Sequence, residues 1–284
     1  MLGLARTDDV LAADIPGPAM QRARGTARIG TTTRDGQTEL AALYQEGCAK
    51  IRLPRTHDRS LQAVLINTAG GLTGGDSISW SAEVAPEARL VLTTQACERI
   101  YRSLGPSANV TTRITVGPGA HVDWLPQETI LFEESRLARS LEVDLAEGAS
   151  LCAVEAVLLG RDAMGESARR ATLADNWRIR RNGRLIHAEA TRISGDPERE
   201  REGLPLLRGA KAFATVLYAG ANAEACAHRV RAVLPDESNI GMSLIGERLI
   251  VRALANSGLE LRRRIVPIIA MLAASGSVPR LWSL

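Results

Sequence analysis

The sequence has few aromatic residues and almost no lysine. Phe, Tyr and Trp make up 3% of its 284 residues, so the stacking platforms of single-strand nucleic-acid binders are not expected. Lys50 and Lys211 are the only lysines among 35 basic residues. The 35 basic and 32 acidic residues give a net charge of +3, which is too small to indicate nucleic-acid binding. An arginine excess of this kind favours forked hydrogen bonds to carboxylates.

Long apolar segments are also missing. No apolar run reaches the roughly 18 residues of a membrane span, and the N-terminal residues lack the apolar core of a secretory signal. The four cysteines are far apart and form no CxxC pair, as expected of reduced thiols. These absences predict a cytoplasmic protein with no membrane partner.

Familiar catalytic and metal-binding signatures do not occur. The four histidines stand singly, without HxH or HExxH spacing, and there is no GxSxG sequence around a serine. The sequence therefore predicts no catalytic residue and no tightly bound cofactor, and we expect a protein that is not an enzyme.

The composition that remains is that of a folded, mainly β protein. Hydrophobic residues make up 45% and charged residues 24%, which excludes a disordered chain. We expect residues 1–20 to be a flexible leader and residues 21–284 to form one domain. Short β-branched or alternating apolar segments predict strands at Leu61–Asn67, Ala88–Gln95, Val110–Val116, His121–Leu125, Ser140–Leu145, Ser150–Leu159, Trp177–Arg181 and Leu185–Ile193.

Turn and helix signals complete this prediction. Asn182-Gly183 predicts a tight hairpin, because both residue types tolerate positive φ. Apolar residues at helical spacing predict helices over Ala221–Leu234 and Leu259–Ala274, and Pro267 is expected to kink the second or confine it to one side. The segment Met242–Leu254 is compatible with either a helix or a strand.

A weak internal repeat indicates how the strands are stacked. The segments Val84–Leu90, Val116–Val122 and Leu145–Leu151 each place an aliphatic residue before a Pro- or Gly-containing turn, then Ala, a spacer and a second aliphatic residue. The copies begin 32 and 29 residues apart, a spacing typical of stacked supersecondary units. We therefore predict layered, partly solenoid-like β-sheets with about two α-helices toward the C-terminus, although an ordinary sandwich with similar turns would also fit.

A glycine-rich segment ends in a carboxylate. Asn67–Asp76 contains four glycines in six residues, which permits positive φ and close backbone approach. It is not a P-loop, because Asp76 stands where a phosphate-binding loop has Lys followed by Ser or Thr. Two readings remain open: a sharp turn between strands, or a rigid loop that presents Asp76 to a cation or partner.

Two acidic residues interrupt apolar strands. Glu155 lies inside Cys152–Leu159, where an unpaired carboxylate would cost several kcal/mol. It is either paired, with Arg161 as the candidate partner, or a functional carboxylate, or simply exposed. Glu189 raises the same question more weakly.

Two further segments contain polar groups near apolar strands. Leu92–Ser103 is either a solvated charged face or the lining of a polar interior passage. In Trp124–Phe132, Pro126 interrupts the strand, so Gln127 and Glu128 are candidates to point into a cavity.

Taken in order, several segments resemble the urease accessory protein D family, also called UreD or UreH. The resemblance covers the chain from about Arg24 to Trp282, and its motifs are Leu65–Asp76, Leu92–Ser103, Trp124–Phe132, Leu159–Glu166, Trp177–Ile186, Val251–Ala255 and Pro279–Trp282. It implies a mostly β, layered fold and a non-catalytic maturation factor for the nickel enzyme urease.

The resemblance also implies partners and a cargo. Family members bind apo-urease and an F-type accessory protein (UreF), through which they recruit a G-type GTPase (UreG) for nickel insertion. A polar internal passage for Ni(II) is proposed in the family. Carried onto this sequence, its transient nickel-passage residues are Asp76, Glu155 and Glu189. The alternative is an interaction scaffold without nickel contact, in which the predicted C-terminal helix and apolar strands supply docking surface.

Overall fold

The computed structural model describes residues 21–56, 58–161, 165–194, 207–234 and 239–283. The predicted leader, residues 1–20, lies outside the described residues, as do residues 162–164 of the Leu159–Glu166 motif. Within the described residues the strands are β1 (Arg24–Arg34), β2 (Gln37–Gly47), β3 (Ala49–Arg52), β4 (Leu61–Asn67), β5 (Ser77–Val84), β6 (Arg89–Thr94), β7 (Glu98–Ile100), β8 (Ala108–Val116), β9 (His121–Leu125), β10 (Thr129–Leu131), β11 (Arg136–Leu145), β12 (Ser150–Leu159), β13 (Thr172–Arg181), β14 (Arg184–Ile193), β15 (Ala212–Ala219), β16 (Ile240–Ile245) and β17 (Arg248–Ala255).

Two sheets face each other across one apolar core. Sheet A has the order β14-β13-β11-β8-β5-β1-β2. Sheet B has the order β16-β17-β15-β12-β9-β6-β4-β3, and the short strands β7 and β10 pair beside β12. From β4 to β13 the long strands alternate between the sheets, and neighbours within each sheet are parallel. This alternation is a β-solenoid, and it confirms the predicted stacked, mainly β fold.

The internal repeat forms the corners of this solenoid. Each copy leads from a sheet A strand to a sheet B strand. Its first residues, Val84, Val116 and Leu145, pair in register in sheet A. Its last residues, Leu90, Val122 and Leu151, pair in register in sheet B and are buried. The repeat therefore marks the positions where equivalent apolar side chains stack.

Helices cover the outer face of sheet B. Helix α1 (Ala223–Val233) and helix α2 (Gly258–Leu272) pack there, followed by a 3₁₀ turn at Arg280–Ser283. Helix α2 continues through Pro267, so the proline does not confine it to one side. The undecided segment Met242–Leu254 belongs to the β16–β17 hairpin.

The apolar side of α2 is buried within the chain. Leu261, Ile265, Ile268, Ile269 and Leu272 pack in the cluster between the helices and sheet B. They are therefore not available as the docking surface that the scaffold interpretation assigned to this helix. No α-helix among the described residues combines the length and apolar character needed to span a bilayer.

Candidate functional site

Glu155 points into the core between the two sheets. Its neighbours at alternate positions of β12, Ala153 and Val157, belong to the same inter-sheet core. The residue is 6% exposed, and its Oε1 accepts a 3.0 Å hydrogen bond from Nε1 of Trp124 in β9. Its Oε2 forms an ion pair with Arg139 of β11, so the contact joins sheet B to sheet A.

Arg139 forms ion pairs with two carboxylates. Its Nη2 lies 2.6 Å from Oδ2 of Asp175 in β13, and its Nη1 donates to Thr129 at 2.9 Å. We call Glu155, Arg139 and Asp175 the inner cluster. The predicted partner of Glu155 is wrong, because Arg161 pairs with Glu166 instead. Glu155 lies inside a strand, and its partner comes from the facing sheet rather than from a nearby position in the sequence.

The inner cluster has one cation for two acids. Burial raises the pKa of Glu155 to about 7; the charge of Arg139 lowers it, and the charge of Asp175 raises it further. A Glu155 carboxyl with this pKa is partly protonated at neutral pH. At neutral pH a proton therefore neutralises part of the second negative charge of the cluster.

A second polar group lies beside the inner cluster. Glu189 of β14 accepts a 3.0 Å hydrogen bond from Thr215 of β15, and its Oε2 lies 3.2 Å from Nη2 of Arg252 in β17. Nε2 of His187 is 3.6 Å from the same oxygen. We call Glu189, His187, Thr215 and Arg252 the outer cluster.

The two clusters are connected through Thr215. In the β12–β15 ladder Thr215 is the residue directly opposite Glu155, and its hydroxyl binds Glu189. A cavity of about 200 Å³ adjoins the outer cluster and is lined by Glu189, Thr215 and Arg252 together with apolar side chains. Arg252 is 65% exposed and Glu189 is 10% exposed, so this side of the clusters faces outward. The two clusters are therefore neighbours on the inter-sheet side, and together we call them the polar seam.

Glu189 differs from Glu155 in its ionisation. Burial raises its pKa, but nearby His187, the charge of Arg252 and the Thr215 hydroxyl outweigh burial, and the pKa falls below its usual value. Glu189 is therefore an anion at neutral pH. Oδ1 of Asp175 accepts no hydrogen bond from a described residue, whereas Oε2 of Glu189 contacts Arg252 and His187 without a well-aligned hydrogen bond.

Asp76 is separate from this seam. The residue is 4% exposed, and its two oxygens each accept a 2.8 Å hydrogen bond from a backbone N–H, one from Ala23 and one from Thr73. Neither bond involves a residue of the inner or outer cluster. The carboxylate links the end of the glycine-rich segment to the residue before β1. This arrangement agrees with the interpretation of the segment as a sharp turn between strands.

The glycine-rich segment packs against the Leu92–Ser103 segment. Leu72 exchanges backbone hydrogen bonds with Arg99 and Tyr101, at 2.8 and 2.7 Å. A Cβ on Gly74 would collide with Ser103, which explains why glycine is required at this close approach. Asn67 donates to Glu98 at 2.9 Å, and burial raises the pKa of Glu98 to about 7.

Gln127 and Glu128 fasten helix α2. Glu128 is 1% exposed and receives two hydrogen bonds from Arg262, at 2.6 and 2.7 Å. Nη2 of Arg262 also donates to Gln127 at 3.0 Å. The side chains therefore face the helix rather than an open cavity.

The sequence reasoning missed Arg139 and Asp175. The signal was present, because Arg139 alternates with Leu137 and Leu141, and Asp175 alternates with Leu173 and Trp177. A charge at an apolar position of an alternating strand points inward, as Glu155 does. No group of three or more His, Cys, Asp or Glu in the described part of the chain is arranged to hold a metal ion.

The fold and its interior define a class: a two-sheet β-solenoid protein with a buried polar seam. The chain matches the family model described as UreD urease accessory protein over residues 23–283. It is 60% identical to the urease accessory protein UreD of Chelativorans sp. (strain BNC1) over 269 residues, which cover 95% of this chain and 96% of the relative.

Two more relatives give the same result. The urease accessory protein UreD of Rhizobium rhizogenes is 50% identical over 264 residues, covering 93% of this chain and 96% of the relative. The protein of that name from Agrobacterium fabrum is 47% identical, with coverages of 93% and 92%. The chain belongs to the UreD family of urease accessory proteins, and an accessory role in the urease system follows from this membership.

Proposed function

We propose that the chain is a non-catalytic cytoplasmic maturation factor that supports the insertion of nickel into apo-urease. In this proposal it binds apo-urease and a UreF-type protein, and it recruits a UreG-type GTPase through the UreF-type protein. Ni(II) is a transient cargo, and the polar seam is its route. Nucleic acid and membrane are not partners.

The observation that carries the nickel proposal is the link between Glu155 and Glu189. Glu155 is deep between the sheets, Glu189 lies beside an outward-facing cavity, and Thr215, which binds Glu189, is the cross-strand neighbour of Glu155. A cation entering at the cavity would meet an ionised Glu189 first. It would then meet the inner cluster, where it could take the place of the proton on Glu155.

The ligand chemistry suits transfer rather than storage. Carboxylate oxygens bind Ni(II) less tightly than clustered Cys or His do, so a cation held by the seam can leave it. Oδ1 of Asp175 and Oε2 of Glu189 are such oxygens, because neither accepts a well-aligned hydrogen bond from a described residue. Asp76 contributes less to this proposal, because both of its oxygens already bind backbone N–H groups.

One observation favours the alternative, an interaction scaffold without nickel contact. Glu155 and Glu189 each already contact an arginine, so neither is a buried carboxylate without a cationic partner. Exposed Leu40, Leu43 and Tyr44 on the edge strand β2 offer apolar contact area to a partner.

A pull-down tests the proposal. The full chain is mixed with apo-urease and the UreF- and UreG-type proteins, with and without nickel, and the nickel content of the isolated complex is measured. We expect apo-urease and the UreF-type protein to be retained, and the UreG-type protein only when the UreF-type protein is present. Failure to retain either direct partner would contradict the maturation role. A complex without any nickel attributable to this chain would contradict the route and leave the scaffold.

A further inference from the structure

The spacer residues of the three repeats form a row on the outer face of sheet B. Arg89, His121 and Ser150 occupy the same position in the three copies. Arg89 pairs with His121 across β6 and β9, and His121 pairs with Ser150 across β9 and β12. The apolar residues on either side of each point into the inter-sheet core, so the row itself faces the helices.

This row forms the floor of a polar cavity that is open to solvent. The cavity has a volume of about 720 Å³ and lies between sheet B, the start of α1 and the end of α2. Arg229 and Asn222 of the α1 region line it as well. Asn222 is the N-cap residue of α1, and its side chain makes no capping hydrogen bond. Its amide is therefore able to bind a ligand.

The polar side chains on the floor of the cavity are held in place by hydrogen bonds to one another. Asp123 is fully buried, and its Oδ1 lies 2.8 Å from Nε2 of His121. Nδ1 of His121 is 2.7 Å from Oγ of Ser150. Oδ2 of Asp123 accepts the N–H of Ala274, which follows α2. The buried carboxylate thus orients the histidine and the serine.

The cavity presents positive charge. Arg89 and Arg229 are exposed side chains that line it, and Nη2 of Arg229 donates to Sγ of Cys226 at 3.2 Å. Neither arginine forms an ion pair with any residue that the structure describes. The lining side chains include no carboxylate; Glu87 lies at the rim beside Gly119. Two guanidinium groups with free donors are suited to an oxyanion, which they bind through forked, charge-assisted hydrogen bonds.

The Ser–His–Asp chain is arranged for binding rather than for acyl transfer. In many acyl-transfer enzymes the oxyanion hole is formed by free backbone N–H groups beside the nucleophile. Here the N–H of Ser150 donates to Ala120, that of His121 donates to Ala88, and that of Gly119 donates to Glu147. These N–H groups already donate to backbone carbonyls, so they do not form an oxyanion hole.

We infer that this cavity is a binding site for a small molecule that carries a phosphate or carboxylate group. Arg89 and Arg229 hold the anionic group, and the Asn222 amide supplies a further donor. The site lies on the face of sheet B opposite to the polar seam, so the inference is independent of the nickel proposal.

Thermal unfolding of the full chain in sodium phosphate or sodium acetate, at ionic strength kept constant with sodium chloride, tests this inference. A ligand that binds the folded state raises the melting temperature in a saturable way. We expect saturable stabilisation by at least one of the two anions, and the comparison shows which group the site prefers. Affinity should be about tenfold or more weaker in the double variant Arg89→Gln/Arg229→Gln, because hydrogen bonds between charged groups are lost.

The matched control is Arg113→Gln/Arg136→Gln, which removes two exposed arginines from sheet A. Phosphate also stabilises proteins generally by exclusion from their surface, and that effect should be the same in all three proteins. The inference is overturned if neither anion gives a saturable response with the natural chain. It is equally overturned if the Arg89/Arg229 variant, shown to be folded by circular dichroism, binds as tightly as the control.

Discussion

The inner and outer clusters of the polar seam both pair a glutamate with an arginine, but the pKa values of the two glutamates shift in opposite directions. In the inner cluster Glu155 and Asp175 share Arg139, and the pKa of Glu155 rises to about 7. In the outer cluster Glu189 contacts Arg252, accepts a hydrogen bond from Thr215 and lies near His187, and its pKa falls. Both carboxylates are largely buried, so burial alone does not decide which one is ionised.

The two clusters differ in the ratio of cations to acids, and this ratio contributes to the charge of each buried carboxylate. One guanidinium between two acids leaves a negative charge that a proton neutralises, whereas a carboxylate with its own cation stays ionised. The seam therefore has a fixed anion on its outward side and a proton that can be exchanged on its inner side. This asymmetry is what the nickel proposal depends on.

Removing the shared cation should have the largest effect. We expect Arg139→Leu to lower the free energy of unfolding by about 3 to 5 kcal/mol, because two carboxylates would remain buried without a cation. Urea denaturation at pH 7 measures this change.

A triple variant provides the matched control. In Arg139→Leu/Glu155→Leu/Asp175→Leu all three charges are replaced by apolar groups, and the loss should be much smaller than in the single variant. If the single variant is as stable as the natural chain, Arg139 does not neutralise the inner cluster.

The pH dependence of the unfolding free energy should distinguish Glu155 from Glu189. This effect should be smaller than that of Arg139→Leu. The pKa of Glu155 is about 7 in the folded chain and about 4.3 in an unfolded one, so the folded state holds its proton more tightly. Its contribution to stability is therefore complete below about pH 4 and is lost as the pH rises through 7. Relative to Glu155→Gln, the natural chain should lose on the order of 2 kcal/mol of unfolding free energy between pH 5 and 8.

The stability contribution of Glu189 should depend on pH in the opposite direction, and only below about pH 5. The pKa of Glu189 is lowered on folding, so its contribution is present above the unfolded pKa and is lost only as the pH falls through the folded value. The stability difference between Glu189→Gln and the natural chain should stay constant from pH 5 to 8. Parallel curves for the two variants in urea denaturation would contradict the assigned difference in ionisation.

Local patterns in the sequence were sufficient to predict much of the fold. The predicted strands at Leu61–Asn67, His121–Leu125 and Ser150–Leu159 have the bounds of β4, β9 and β12. The Asn182-Gly183 turn joins β13 and β14 with positive φ at both residues. The repeat identified the solenoid corners, because stacked coils require equivalent apolar residues at equivalent corners.

The polar seam could be predicted only in part. Glu155 stood out because a carboxylate interrupts an apolar strand, but its partner lies in the facing sheet, 16 residues earlier in sequence. Spacing along the chain favoured Arg161, whereas the fold supplied Arg139. The paired status of Asp76 was also hidden, because it depends on backbone N–H groups that carry no sequence signal.

Urease activation by the double variant Glu155→Gln/Glu189→Gln, assayed with the UreF- and UreG-type partners present, measures the contribution of the seam most directly. Glutamine keeps the size of each side chain and removes its charge. The account predicts that activation falls several-fold while the partners remain bound and the chain remains folded. Full activation at normal protein levels would contradict a nickel route between the sheets.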